Sequence, residues 1–126
     1  MKIKHGNAYL DLDGAASKLR VVSGGLYESV NTASGFGLRA LNGPAGFFVE
    51  AGGVFRHASP NGATFEVAAT VPFNVNGGTL QNTGATSTAL NLGGIGTFTN
   101  AILAPALGTT INFAGKSIST EVFILE

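Results

Sequence analysis

The sequence predicts an all-β fold: a short-stranded antiparallel sandwich or barrel of jelly-roll type, with glycine-rich turns and at most one or two short helical turns. Three observations carry this. Phe65, Val67, Ala69, Val71, Phe73 and Val75 alternate with Thr64, Glu66, Thr70 and Asn74, the period-two pattern of a strand with one face in a core. Ser23-Gly24-Gly25, Asn42-Gly43-Pro44, Gly52-Gly53, Pro60-Asn61-Gly62, Asn76-Gly77-Gly78 and Leu92-Gly93-Gly94 punctuate the chain with turn signals. No segment sustains helical spacing, since the best one, Thr99 to Leu107, is cut by Pro105 and followed by Gly108.

The other strand candidates, in order, are Ala8–Leu12, Lys18–Val22, Leu26–Val30, Phe36–Leu41, Phe47–Phe55, Ser87–Leu92, Thr109–Phe113 and Ser117–Leu125. Asn-Gly pairs suit the positive-φ positions of tight hairpins that would join them. Pro72 lies on the polar side of the Phe65–Val75 run and donates no ladder hydrogen bond, which places that strand at an edge or bends it there. The main rival is a β-solenoid. It calls for a fixed internal period, and the glycine clusters fall at irregular intervals, so the sandwich or barrel is preferred.

At 126 residues the chain is one domain, with residues 1–12 a candidate extended N-terminal arm. Charged side chains make up 11%, against about a quarter in an ordinary domain, while apolar residues hold at 44%. The absence of cysteine excludes a disulfide scaffold, a thiolate metal site and cysteine catalysis. Zero net charge gives no electrostatic case for nucleic acid or anionic lipid, so neither is an expected partner. No signal-type apolar core follows Met1-Lys2-Ile3-Lys4-His5, and none of the asparagines sits in a glycosylation sequon. The charges are also unevenly placed: between Glu66 and Lys116 no residue is charged. A surface so poor in charge promotes association, so a homo-oligomer is expected, with residues 67–115 supplying much of the contact.

Candidate chemistry is sparse, and no enzyme activity, cofactor or metal is expected. Gly35-Phe36-Gly37-Leu38-Arg39-Ala40 fits a dinucleotide pattern, but Asn42-Gly43-Pro44 would end the required helix at once, so a glycine-containing strand or turn is favoured. Asp11-Leu12-Asp13-Gly14 opens like a calcium loop, yet its twelfth position is Val22 where a carboxylate is needed, and a turn is the simpler role. A zinc site would need both His5 and His57 with Glu50 or Glu66. His57-Ala58-Ser59 is not a nucleophile–base arrangement, and Glu28, Glu50 and Glu66 suit surface or ion-paired positions as well as a glycosidase pair. Phe65, Phe73 and Phe113 fit core packing, and with Tyr9 and Tyr27 the only tyrosines, a sugar-binding case rests on polar loops.

The run Phe113-Ala114-Gly115-Lys116-Ser117-Ile118-Ser119 resembles the closing motif of the lambda-type head decoration proteins of tailed phages. The resemblance spans seven residues, and here the chain continues to Glu126. It implies a compact protein that sits as trimers on the capsid surface of a virion, cements the major capsid protein and reaches onto the shell with its N-terminal segment. The expected function is therefore a capsid decoration or cement protein. The expected interface comprises Ala8, Tyr9, Leu10, Asp11 and Leu12 in the arm, available for strand addition, together with Phe73, Phe98 and Phe113. The alternative is a receptor- or glycan-binding fibre or adhesin module, acting through loops such as Asn76–Asn82 or Asn91–Thr97. A small enzyme using His57 and Glu50 ranks third.

Overall fold

The computed structural model describes residues 2–40, 42–113, 115–118 and 122–125, and among these the chain forms short strands and no helix. The strands fall into three parallel sheets. The first contains β1 (Lys2–His5), β4 (Leu26–Ser29), β7 (Val54–His57), β10 (Thr79–Asn82), β13 (Ala101–Pro105) and β16 (Val122–Ile124). The second contains β2 (Leu10–Leu12), β5 (Phe36–Ala40), β8 (Phe65–Val67), β11 (Ala89–Asn91) and β14 (Thr110–Asn112). The third contains β3 (Lys18–Val21), β6 (Gly46–Glu50), β9 (Phe73–Asn76), β12 (Thr97–Thr99) and β15 (Ser117–Ile118).

Each strand therefore pairs with the strands three places before and after it, and every pairing between named strands is parallel. This is a three-sided β-solenoid. One coil visits the first, second and third sheets in turn, and the next coil stacks on it. Lys2 lies opposite Leu26, Leu26 opposite Val54, Val54 opposite Thr79, Thr79 opposite Ile102 and Ile102 opposite Phe123, so successive coils take 24, 28, 25, 23 and 21 residues. With strands about 4.8 Å apart, the first sheet's six strands span roughly 24 Å along the axis.

The interior is built from columns of like side chains. Tyr27, Phe55, Leu80 and Leu103 stack in register inside the first sheet, and Val21, Val49, Val75 and Phe98 inside the third. Phe65 and Leu90 stack inside the second. Burial of these columns is the main stabilising term, as in any solenoid whose repeats touch only their neighbours.

One corner repeats almost unchanged. Between the third and first sheets the chain turns at Gly24-Gly25, Gly52-Gly53, Gly77-Gly78 and Asn100-Ala101, with φ of 76°, 75°, 71° and 49° at the first residue of each pair. The second residue has no room for a side chain where a Cβ on Gly53 would lie 2.3 Å from Val21 O and one on Gly78 2.7 Å from Val49 O. Backbone bonds from Val54 N to Gly25 O, Thr79 N to Gly53 O and Ile102 N to Gly78 O, each 3.0 Å, tie these corners into a stack.

The antiparallel sandwich or barrel expected from the sequence is thus overturned, and the described residues form no jelly roll. The alternation from Phe65 to Val75 belongs to two strands on different sheets, β8 and β9, joined by a corner in which Val71 also points inward. Pro72 marks that bend, and its carbonyl accepts a hydrogen bond from Phe47 N at 2.8 Å. Phe47–Phe55 likewise divides into β6 and β7 around Gly52-Gly53. The candidate helical turns at Thr99–Leu107 are the end of β12 and β13, where Ala101 and Leu103 face inward in strand alternation. Residues 2–5 and 10–12 of the candidate arm pair with β4 and β5 as the first coil.

Candidate binding face and buried polar corner

The outer faces divide along the axis. In the first three coils, charges meet across neighbouring strands: Arg39 bonds Asp11, Arg20 bonds Glu50, and Arg56 approaches Glu28 at 3.3 Å while donating to Gln81 at 2.8 Å. The Arg39 hydrogen bond holds the Asp11 carboxyl below its ordinary range. The charge-free stretch covers the last side of coil three, all of coil four and most of coil five. There the outward strand positions are mostly Asn, Thr, Gln and Ala.

The outer face of the third sheet carries an open depression of mixed polar and apolar lining, about 270 Å³ in volume. Strand alternation turns Phe47 and Val49 inward and Phe48 and Glu50 outward, and β9 does the same with Asn74 and Asn76. The parallel register aligns Arg20, Phe48 and Asn74 in one column and Glu50 and Asn76 in the next. The Arg20 guanidinium lies 5.8 Å from the centre of the Phe48 ring, and its Nε donates to Glu50 Oε1 at 2.7 Å. Asn74 Oδ1 accepts from Thr97 N at 3.1 Å, which fixes its amide plane on the face.

A second cluster is wholly internal. At the first-to-second corner Ser29, His57 and Asn82 stand in one column, all fully buried, with Asn31, Ser59 and Thr88 nearby. Buried polar groups require partners, and these have them. Asn82 Nδ2 donates to Thr88 O at 3.0 Å and Thr110 O at 2.8 Å, and Asn31 Nδ2 to Phe36 O at 2.6 Å. His57 Nε2 is 2.8 Å from Ala63 O, so that nitrogen carries the proton of the neutral ring. The Ser29 hydroxyl lies 3.2 Å from His57 Nδ1 and 3.1 Å from Asn31 Oδ1.

Burial pushes the His57 pKa below its ordinary value of 6.5, against the opposing effect of its hydrogen bonds. As pH falls below 6.5 the unfolded chain takes up a proton that the folded chain refuses, so stability declines in that window. His57→Asn puts at this position the side chain that Asn82 carries one coil on. Urea midpoints at pH 7 and pH 5 should therefore differ less in His57→Asn than in the parent, and an equal difference would assign the acid sensitivity elsewhere. Lys116 is also desolvated: its Nζ donates to Gly93 O at 2.9 Å and Ile95 O at 2.7 Å, and burial lowers its pKa to about 8.

The residues expected to form an interface are dispersed. Ala8, Tyr9 and Asp11 are exposed on the first coil and Leu10 half-buried, with Tyr9 against the Arg39 guanidinium at 4.3 Å. Leu12, Phe73 and Phe98 are buried in the interior, and Phe113 is half-buried, stacked on Phe98 at 5.7 Å. Asp13-Gly14 is a turn, with Ser17 N bonded to Gly14 O at 2.9 Å, and Gly35-Phe36-Gly37 leads into β5. Ser59 bonds Ala63 N and Asn61 rather than His57. The described residues hold no group of three His, Cys, Asp or Glu arranged for a metal ion. The His5 side chain lies outside the described atoms, although its backbone is in register with Ser29.

The fold and its faces define a class, a three-sided parallel β-solenoid with a charge-free stretch of coils and a buried polar corner. No family model, curated protein or solved structure matches the chain.

Proposed function

We propose that this chain is a structural module, a short, stiff rod segment of a fibre or adhesin that associates with copies of itself and whose work is to hold and present surfaces. The observation that carries this is the continuity of three parallel sheets in register from the first coil to the last. Such ladders resist bending and leave the faces as the variable part. A role in association draws support from the exposed large apolar side chains. Ile95, Leu107, Ile118, Ile124 and Leu125 lie from coil four onward, against Tyr9 and Val22 in the first. Ile95 and Leu107 lie within the charge-free stretch and the other three just beyond it, and exposed apolar side chains grouped in this way favour contact between copies.

A capsid decoration protein, the role expected from the sequence, shares the premise of repeated contacts between copies, trimers included. Its own support is the Phe113–Ser119 run. The solenoid favours the fibre or adhesin module.

Light scattering after size exclusion, with small-angle scattering on the same sample, tests the proposal. The parent should form oligomers whose mass rises with concentration, and the Ile118→Lys, Ile124→Lys double variant should shift toward monomer with an unchanged β-type circular dichroism spectrum. A parent that stays monomeric at every concentration overturns self-association.

A further inference from the structure

We propose that the outer face of the third sheet binds a neutral oligosaccharide, laid along the solenoid axis across Phe48 and the Asn and Thr columns. The inference rests on the adhesin reading and names the ligand class of that module.

A sugar ring offers an apolar C–H face and a rim of hydroxyls. Its receptor must pair a flat apolar surface with donors and acceptors around it. Phe47, Phe55, Phe65, Phe73 and Phe98 are all fully buried, whereas Phe48 projects from the outer side of β6 and lines the trough, partly exposed. Around it stand the Asn74 and Asn76 amides, the Thr97 hydroxyl and the Arg20–Glu50 pair. Side chains that face one way recur roughly 4.8 Å apart across strands and about 6.8 Å apart along a strand, a grid of polar groups at sugar-sized intervals. The Arg20 and Glu50 charges meet each other, so the trough carries no net charge and selects against sialylated or sulfated chains. At about 270 Å³ and open on one side, it falls just under the usual small-ligand range of about 300–1,000 Å³. It therefore suits part of an extended chain passing over the face. Asn76 and Thr97 come from the two loops that the sequence marks for glycan contact. The solenoid makes both of them strand residues on one face.

The test is saturation-transfer NMR and calorimetry with neutral gluco-, manno- and galacto-oligosaccharides, alongside sialylated and sulfated counterparts. Saturable binding of at least one neutral series is expected, about tenfold weaker in Phe48→Ala, the effect of one lost aromatic contact. Asn76→Ala, at an exposed position, should also weaken it, and Glu66→Gln on the second sheet should not. No saturable binding of any neutral series overturns the proposal, as does preference for the anionic counterparts or unchanged affinity in both Phe48→Ala and Asn76→Ala. Each of these results leaves scattering and self-association untouched, so failure here is distinguishable from failure of the rod proposal.

Discussion

Phe55→Ala is expected to cost about 3–5 kcal/mol, the range for truncating a fully buried phenylalanine. Phe55 stacks on Tyr27 at 5.0 Å and 15° and meets Phe47, Phe65 and Phe73 edge-on, each at 5.4 Å. Its ring thus joins all three sheets and couples coils two and three. Few other side chains are near enough to refill the space, because the neighbouring positions are rings held by their own columns. Against a total stability of about 5–15 kcal/mol the loss is a large fraction. In a solenoid it also falls on the interfaces with both adjoining coils. Urea denaturation followed by circular dichroism should show the midpoint falling accordingly. Phe55→Leu, which supplies the side chain of Leu80 in the next coil, should retain more of the parent stability. A loss below about 1 kcal/mol for Phe55→Ala would mean that the aromatic cluster is not the centre of the core.

Alternation identifies most of the inward side chains, though not Ala69, which is exposed at the corner between β8 and β9, and it does not say how the chain runs between them. Alternation from Phe65 to Val75 is a statement of parity. Val67, Val71 and Phe73 keep the same parity through a corner, so the pattern looks the same whether the chain continues straight or turns onto another sheet. Asn-Gly pairs behave similarly. Gly62 and Gly77 do take positive φ, 78° and 71°, but at corners of a coil rather than at hairpin ends. A repeat is nevertheless present. Gly24-Gly25-Leu26-Tyr27-Glu28-Ser29, Gly52-Gly53-Val54-Phe55-Arg56-His57 and Gly77-Gly78-Thr79-Leu80-Gln81-Asn82 share one pattern. Two glycines precede an outward residue, then come a large inward apolar residue, a polar outward residue and a small polar or imidazole group. Asn100-Ala101-Ile102-Leu103-Ala104-Pro105 is a fourth, degenerate copy. Unequal corners elsewhere stretch the spacing to between 23 and 28 residues, which defeats a search for a fixed period.

The trough is legible only in fragments, for a related reason. Asn76 and Thr97 stand out as polar residues of candidate loops, but Arg20, Phe48 and Asn74 are far apart in sequence and become neighbours only through the parallel register. Phe48, inside Gly46-Phe47-Phe48-Val49, looks like core until the strand's parity is fixed by Phe47. The charge gap, by contrast, is readable directly, and the coil path gives it a location: it spans the last side of coil three, coil four and most of coil five.

Gly96→Ala is expected to be among the most damaging single-methyl additions, costing about 3 kcal/mol or more from two separate causes. Gly96 has φ of 135°, a region that L-residues avoid at a cost of about 1–3 kcal/mol. A Cβ there would also lie 2.0 Å from Phe73 O, a backbone atom of the neighbouring coil that cannot rotate aside. Relief requires β9 and β12 to separate locally, which disturbs the Phe98 and Val75 column beneath and adds an overpacking cost of about 1–3 kcal/mol. Gly24 isolates the first cause. Its φ is 76° and nothing lies within 4 Å of the point a Cβ would occupy, so Gly24→Ala should cost only about 1–2 kcal/mol. Gly24→Asn should cost less still, because Asn100 already occupies the equivalent corner with φ of 49° and asparagine tolerates that conformation. Thermal and urea unfolding of the three variants should rank Gly96→Ala far below Gly24→Ala, and Gly24→Ala below Gly24→Asn. If Gly96→Ala and Gly24→Ala prove equally mild, then the coils are not in the close backbone contact that the stacked corners and the parallel register impose.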